Sequence, residues 1–127
     1  MTGGGSAVLV VDDDPAIRAV LMDLLVEEGY RVAVAADGAA GLAAAFTEPP
    51  ALVLTDLAMP GLGGEEVCRR LRSDPRTRHV PLLVISALPR SAARERLADC
   101  PHDGFLAKPF DLDDLLAAVD RALGTAC

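Results

Sequence analysis

A chain of 127 residues with a formal net charge of -7 is long enough to bury roughly two thirds of its unfolded surface around one core, and too acidic to favour phosphate backbones or anionic membranes, both of which would repel it. Cations and basic protein surfaces are the partners this charge favours, so neither direct nucleic-acid binding nor membrane association is expected. Three cysteines, Cys68, Cys100 and Cys127, form neither a C-x-x-C pair nor an even set; they read as reduced thiols, which argues against a disulfide scaffold and for a cytoplasmic protein.

Met1 to Ser6 has neither the basic start nor the apolar run of a signal peptide, and no apolar stretch reaches membrane-spanning length. Gly3 to Gly5 precede the first strand, whereas a phosphate-cradling loop follows one, so residues 1–6 read as a flexible lead-in. Ala7 to Val11 is almost wholly apolar and predicts a strand buried on both faces. Asp14 and Pro15 then form the cap and first turn of a helix over Pro15 to Glu28, with Gly29 placed to stop it in the left-handed conformation. Arg31 to Ala35 alternates weakly and suits an edge strand. A helix over Ala39 to Phe46, a buried strand over Ala51 to Thr55 and a helix over Gly64 to Arg72 follow, the last entered through a loop shaped by Gly61, Gly63 and Gly64. Pro81 to Ser86 predicts a third buried strand, Ser91 to Ala98 a helix, and Gly104 to Ala107 a short strand at the other edge. Asp111 caps a final helix over Leu112 to Leu123. This alternation predicts one α/β domain over 7–124, with a tail at 125–127: a five-stranded parallel sheet flanked by five helices, for which 2-1-3-4-5 is one of the common doubly wound orders.

In such a sheet, ligands sit at the carboxyl ends of the strands. Asp12, Asp13 and Asp14 follow the first strand, Asp56 the third, Ser86 ends the fourth and Lys108 follows the fifth. If the order is 2-1-3-4-5, the first and third strands are neighbours, and Asp12, Asp13 and Asp56 converge. Three carboxylates in one pocket repel by several kcal/mol at an effective dielectric of about 20, and a hard divalent cation relieves that. Magnesium, which takes a few carboxylates plus water and phosphate oxygens, suits the site better than calcium or zinc. Lys108 is the single lysine of the chain, and its compact ammonium can follow a phosphoryl group as a point charge where a guanidinium demands a fixed fork.

Each residue has a plainer reading. Asp14 is a helix cap before Pro15; Asp12 and Asp13 taken alone are equally cap and turn residues; Ser86 alone is a strand-end hydrogen bonder and Lys108 a solvated charge. Their placement at the ends of successive strands favours a joint site. His79 and His102 fall outside it as exposed loop residues, Cys100 with His102 is too sparse for a metal site, and Cys68 reads as a small core-facing residue.

The segments V-L-V-V-D-D-D-P-A-I-R, L-V-L-T-D-L-A-M-P-G-L-G-G, V-I-S-A and F-L-A-K-P-F occur in this order between Ala7 and Leu123. In them the chain resembles the receiver domains of bacterial two-component response regulators, including the chemotaxis-regulator type, with their flavodoxin-like fold. The resemblance implies that Asp56 accepts a phosphoryl group from a sensor histidine kinase, a phosphotransfer protein or a small phosphodonor. It implies that Asp12, Asp13, Asp56 and the backbone carbonyl of Ala58 hold Mg2+, and that Lys108 binds a phosphoryl oxygen. Ser86 and Phe105 are then the switch residues, and the face of the fourth helix, fifth strand and fifth helix meets the downstream target. A cis bond is implied before Pro109. Such a protein is no enzyme beyond catalysing its own phosphorylation and dephosphorylation.

Three features depart from the family's commonest pattern. Phe105 has no hydroxyl, D-C-P-H-D-G precedes it in place of small residues, and Ala58 and Leu88 offer no polar side chain to orient a water, which implies slow dephosphorylation. Two other functions compete: a degenerate receiver that serves only as a protein-interaction module, and a metal-dependent aspartyl phosphatase suggested by the D-x-D spacing of Asp12 and Asp14.

Overall fold

Residues 7–98, 100 and 102–124 are described by the computed structural model, in which five strands alternate with five helices: β1 (Ala7–Val11), α1 (Pro15–Glu27), β2 (Arg31–Ala35), α2 (Gly38–Thr47), β3 (Leu52–Asp56), α3 (Gly64–Ser73), β4 (Leu82–Ser86), α4 (Arg90–Arg96), β5 (Gly104–Ala107) and α5 (Leu112–Leu123). The strands pair in parallel, as the alternation of apolar runs and helical segments predicts, in the order β2-β1-β3-β4-β5. The expected lead-in at 1–6 and tail at 125–127 lie outside the described residues.

Side chains alternate across a strand, so each buried run feeds two cores. Val8, Val10, Leu52, Leu54, Leu83 and Ile85 meet Leu21 and Leu25 of α1 and Leu115 and Val119 of α5. Leu9, Val11, Val53, Leu82 and Val84 meet Leu42 of α2, Val67 and Leu71 of α3 and Ala93 of α4. The central strands β3 and β4 are buried along their whole length, whereas β2 exposes three of its five residues. Two apolar layers therefore hold the sheet rigid, and the polar residues just past its carboxyl edge sit on that support.

The helix stops act as their chemistry dictates. Asp14 accepts a hydrogen bond from the Ala16 amide (2.9 Å) and Asp111 one from the Asp114 amide (2.8 Å), each satisfying an orphan donor of a first turn. Gly29 takes φ +97° just after α1, where a Cβ would be strained. The carboxylates Glu65 and Glu66 in the first turn of α3, with Arg70 and Arg72 in its last, complement the helix dipole.

The cysteine expectation is corrected. Cys68 on α3 and Cys100 after α4 form a disulfide, with Cα atoms 6.3 Å apart and a sequence separation of 32. Sequence spacing tests only local pairs and even counts, while this pair is brought together by packing of the segment after α4 onto α3, which no spacing rule registers. No helix among the described residues is long and apolar enough to cross a membrane.

Candidate functional site

The first strand carries Asp12 to the edge of the sheet, and the ladder continues through it: the Asp12 amide donates to the Ala35 carbonyl at 3.1 Å. Asp12 is 1% exposed and Asp56, the last residue of β3, 7% exposed, an uncommon degree of burial for carboxylates. One oxygen of Asp12 accepts from the Asp14 amide (2.9 Å), and one oxygen of Asp56 from the Ala58 amide (3.3 Å). Each remaining oxygen accepts from Lys108 Nζ, at 3.1 Å from Asp12 and 3.2 Å from Asp56. Asp13 is exposed, and its carboxylate lies with those of Asp12 and Asp56 in a group whose oxygens fall within 4.8 Å of one another. A set of hard oxygen donors fits a hard divalent cation and offers nothing to a thiophilic one.

Lys108 reaches the pocket because β5 ends beside β4. The Lys108 amide donates to the Ser86 carbonyl at 2.8 Å, and the Lys108–Pro109 bond is cis, as the resemblance implies. Ser86 is fully buried, and its hydroxyl oxygen accepts from the Leu88 amide at 2.9 Å. Thus Asp12, Asp13, Asp56, Ser86 and Lys108 are gathered at one end of the sheet, with Ala58 exposed beside them. Asp14, occupied as the cap of α1, stands apart, and His79 and His102 are exposed away from the site.

The electrostatics follow from burial. Desolvation raises the Asp56 pKa above 3.8, reinforced by the Asp12 charge, and the attraction of Lys108 only partly offsets it. For Lys108, burial pulls the ammonium down, yet its hydrogen bonds and attractions to Asp12 and Asp56 outweigh that and leave its pKa raised above 10.5. Lys108 is therefore a charged bridge between the two buried carboxylates. The repulsion that the sequence assigns to a metal alone is already shared by this ammonium.

Three contributors were not singled out from sequence. Arg18, one turn into α1, donates through Nη1 to the Asp12 carbonyl at 2.8 Å and ties the acidic turn to the helix; the legible signal was an arginine just beyond the D-D-D-P segment. Asp103 accepts from the Leu82 amide (2.7 Å) and from Arg72 (3.2 Å), giving the unusual D-C-P-H-D-G stretch a structural task at the start of β4. Arg90 lies over the Phe105 ring at 5.3 Å and, with Arg94, Leu97 and His102, lines a cleft of about 200 Å³ beside the ring.

Gly64 supports Asp56 from below. Its amide donates to the Leu57 carbonyl at 2.8 Å, and a Cβ there would sit 2.5 Å from the Asp56 carbonyl oxygen and 2.8 Å from Leu57 Cα. Backbone atoms cannot swing aside, so Gly64→Ala is expected to cost at least about 1 kcal/mol, read as a lowered urea midpoint at unchanged slope.

Buried carboxylates bridged by an ammonium at the carboxyl edge of a 2-1-3-4-5 sheet, beside a buried hydroxyl on the next strand, are the arrangement of a phosphoryl-accepting signalling module. The chain matches the family model "Response regulator receiver domain" over residues 8–120 and belongs to that family. It is 41% identical over 116 residues to the DNA-binding dual master transcriptional regulator RpaA of Synechocystis, covering 91% of this chain and 48% of that protein. It is also 41% identical over 116 residues to the response regulator PleD of Caulobacter vibrioides, of which it covers 25%. The chain thus spans half or less of these relatives. Among solved structures, the chemotaxis protein CheY4 of Vibrio cholerae superposes with a TM-score of 0.87 at 29% identity, over 92% of this chain and 98% of that one. The receiver domain of the Pseudomonas aeruginosa sensor histidine kinase PA1611, solved with a magnesium ion in its active-site cleft, gives 0.88 at 30% identity over 94% and 98% of the two chains.

Proposed function

We propose that Asp56 is the phosphoacceptor of this receiver domain and takes its phosphoryl group from the phosphohistidine of a sensor kinase or phosphotransfer protein, or from a small phosphodonor. The observation that carries this reading is Lys108 Nζ within hydrogen-bonding distance of both Asp12 and Asp56. A cation is thereby already placed where charge accumulates on the transferring oxygens. In the transfer, an Asp56 oxygen forms a bond to phosphorus as the bond from phosphorus to the donor breaks. The donor leaves with its electron pair, and an acyl phosphate remains. Positioning and charge neutralisation supply most of the catalysis of such a step.

The donor set fits Mg2+ held by Asp12, Asp13, Asp56 and the Ala58 carbonyl, and the ion supplies neutralisation of the phosphoryl oxygens when bound. Lys108 exchanges a carboxylate for a phosphoryl oxygen. Ser86 gives up the Leu88 amide and donates its hydroxyl to the same group, and Phe105 moves into the space this vacates. The outcome is a shift between two packings of the α4, β5 and α5 face, through which a downstream protein is engaged. The only reactions the chain catalyses are its own phosphorylation and dephosphorylation. Against an aspartyl phosphatase stands Asp14, whose carboxylate caps α1, and against a degenerate module stands the joint presence of Asp12, Asp13, Asp56, Ser86 and Lys108.

Intact-mass spectrometry after incubation with acetyl phosphate and Mg2+ tests the assignment. One phosphoryl group per chain is expected, absent in Asp56→Asn and absent with chelator. With only Ala58 and Leu88 flanking the site, neither able to orient a water, the adduct is expected to outlast seconds in buffer. An adduct that survives Asp56→Asn would remove Asp56 from the role.

A further inference from the structure

The helix that begins the proposed output face is poorly held by its own sequence. α4 is seven residues long, begins at Arg90 after an N-cap Pro89 that offers no side-chain cap, and buries only Ala93 along its length, with Leu97 buried at its end. A helix this short has no stability of its own, so its place depends on what fastens it. Among the described residues, Arg90 lying over Phe105 ties its start to β5, and two further ties lead to α3. Arg96 donates from Nε and Nη2 to the Glu65 carboxylate at 2.7 to 3.1 Å, and the Cys68–Cys100 disulfide joins α3 to the segment after α4. The ion pair is partly solvated on both sides and the ring contact is made by an exposed Arg90, so each contributes little, which leaves the covalent bond as the principal side-chain tie. Its sulfurs lie in the apolar cluster that includes Ala93 and Leu97 and against which Phe105 packs.

We propose that Cys68 and Cys100 form a thiol–disulfide switch that sets how freely α4 moves against α3, and so how strongly phosphorylation at Asp56 is passed to the α4, β5 and α5 face. Only the last clause rests on the function proposed above. Oxidation proceeds by exchange with a disulfide oxidant of the glutathione class. Cys100, 7% exposed against 0% for Cys68, is the first to react: its thiolate attacks one sulfur of the oxidant, whose S–S bond breaks and whose other half leaves as a thiol. The Cys68 thiolate then attacks Cys100 Sγ in the mixed disulfide and expels the second half. Two electrons and two protons pass from the cysteine pair to the oxidant, and a dithiol reductant reverses both steps. In a reducing compartment a bridge of this kind is transient and sensing rather than permanent.

The test uses the full chain, treated with glutathione disulfide or with dithiothreitol, then denatured, alkylated with iodoacetamide and weighed. One alkyl group, on Cys127, is expected after oxidation and three after reduction; three in both samples would overturn the bridge. Hydrogen exchange on the two native samples then reads its effect. Amides of 90–97 are expected to exchange at least tenfold faster in the reduced chain while those of β1 and β3 keep their protection. Cys100→Ser is expected to reproduce the reduced pattern even in oxidant. Equal exchange of 90–97 in both states, or protection lost equally across the sheet, would overturn the switch. On phosphorylation with acetyl phosphate and Mg2+, the change in exchange at 90–97 is expected to be larger in the reduced chain, and an equal change would overturn the coupling. Absence of the Asp56 adduct in both redox states would instead count against the phosphoacceptor assignment and leave the alkylation and exchange results standing.

Discussion

Lys108→Ala is expected to slow phosphoryl uptake from acetyl phosphate by at least about 100-fold, the scale on which a preorganised donor aimed at developing charge contributes. The same substitution should destabilise the fold in metal-free buffer, because it strands the buried carboxylates of Asp12 and Asp56 that Lys108 Nζ now joins. Breaking a fully buried pair costs roughly 3–5 kcal/mol. Water reaches the Lys108 side chain, which is 17% exposed, so about 2 kcal/mol is the expected loss near neutral pH. The Lys108 pKa is raised in the folded chain, so its contribution is fully present below 10.5 and fades as pH rises through the folded value. Wild type and variant should therefore converge in stability in strong alkali.

Magnesium provides the control for that experiment. A cation in the acidic group would take over from the missing ammonium, so the melting temperature of Lys108→Ala should rise more on adding Mg2+ than that of the wild type. At ten times the dissociation constant the ion contributes about 1.4 kcal/mol through mass action alone. Equal uptake rates in wild type and variant would show that Lys108 only holds the carboxylates apart and has no part in the transfer.

How much of this was legible in the sequence depended on whether the relevant signal was local. The runs at Ala7, Leu52 and Leu82 are apolar at nearly every position because both faces of those strands are covered, whereas the strand order, which connection rules do not single out, rests on the resemblance to receiver domains. The residues gathered at the carboxyl edge were legible for the same reason, each standing at the end of a strand or within two residues of it. Partners were not. That Lys108 pairs with Asp12 across 96 residues of sequence, that Arg18 grips the Asp12 carbonyl, and that Cys68 meets Cys100 are consequences of packing between elements. The fourth helix was the least determined. It begins at Arg90 rather than Ser91 and ends at Arg96 rather than Ala98, since Pro89 fixes its entry and its few apolar residues impose no strong period. The third strand runs through Asp56, one residue past the apolar run, because the Leu57 amide continues the ladder to the Ile85 carbonyl.

Asp56→Asn should have the opposite sign from Lys108→Ala: in metal-free buffer near neutral pH it is expected to stabilise the fold by something on the order of 2 kcal/mol. The two substitutions differ in what they leave behind. Removing the lysine orphans two carboxylates, whereas removing the Asp56 charge leaves Lys108 still paired with Asp12 and relieves both the desolvation of Asp56 and its repulsion from Asp12. The pH dependence gives the sign independently. A carboxyl group whose pKa is raised on folding favours the folded state fully below its ordinary value of 3.8, and that contribution is lost as pH rises through the folded value. The asparagine variant does not titrate there. Its advantage over the wild type should therefore be small in acid, grow as pH rises above 3.8, and level off once Asp56 is fully ionised in the folded chain. Thermal melts at a series of pH values in chelator, repeated with Mg2+, would show this. Saturating Mg2+ should erase the advantage, because the ion stabilises a chain that keeps all three carboxylates more than one that has lost Asp56. A variant less stable than wild type at every pH would mean that Asp56 is held by attractions strong enough to outweigh its burial, and would reverse the electrostatic account of the pocket.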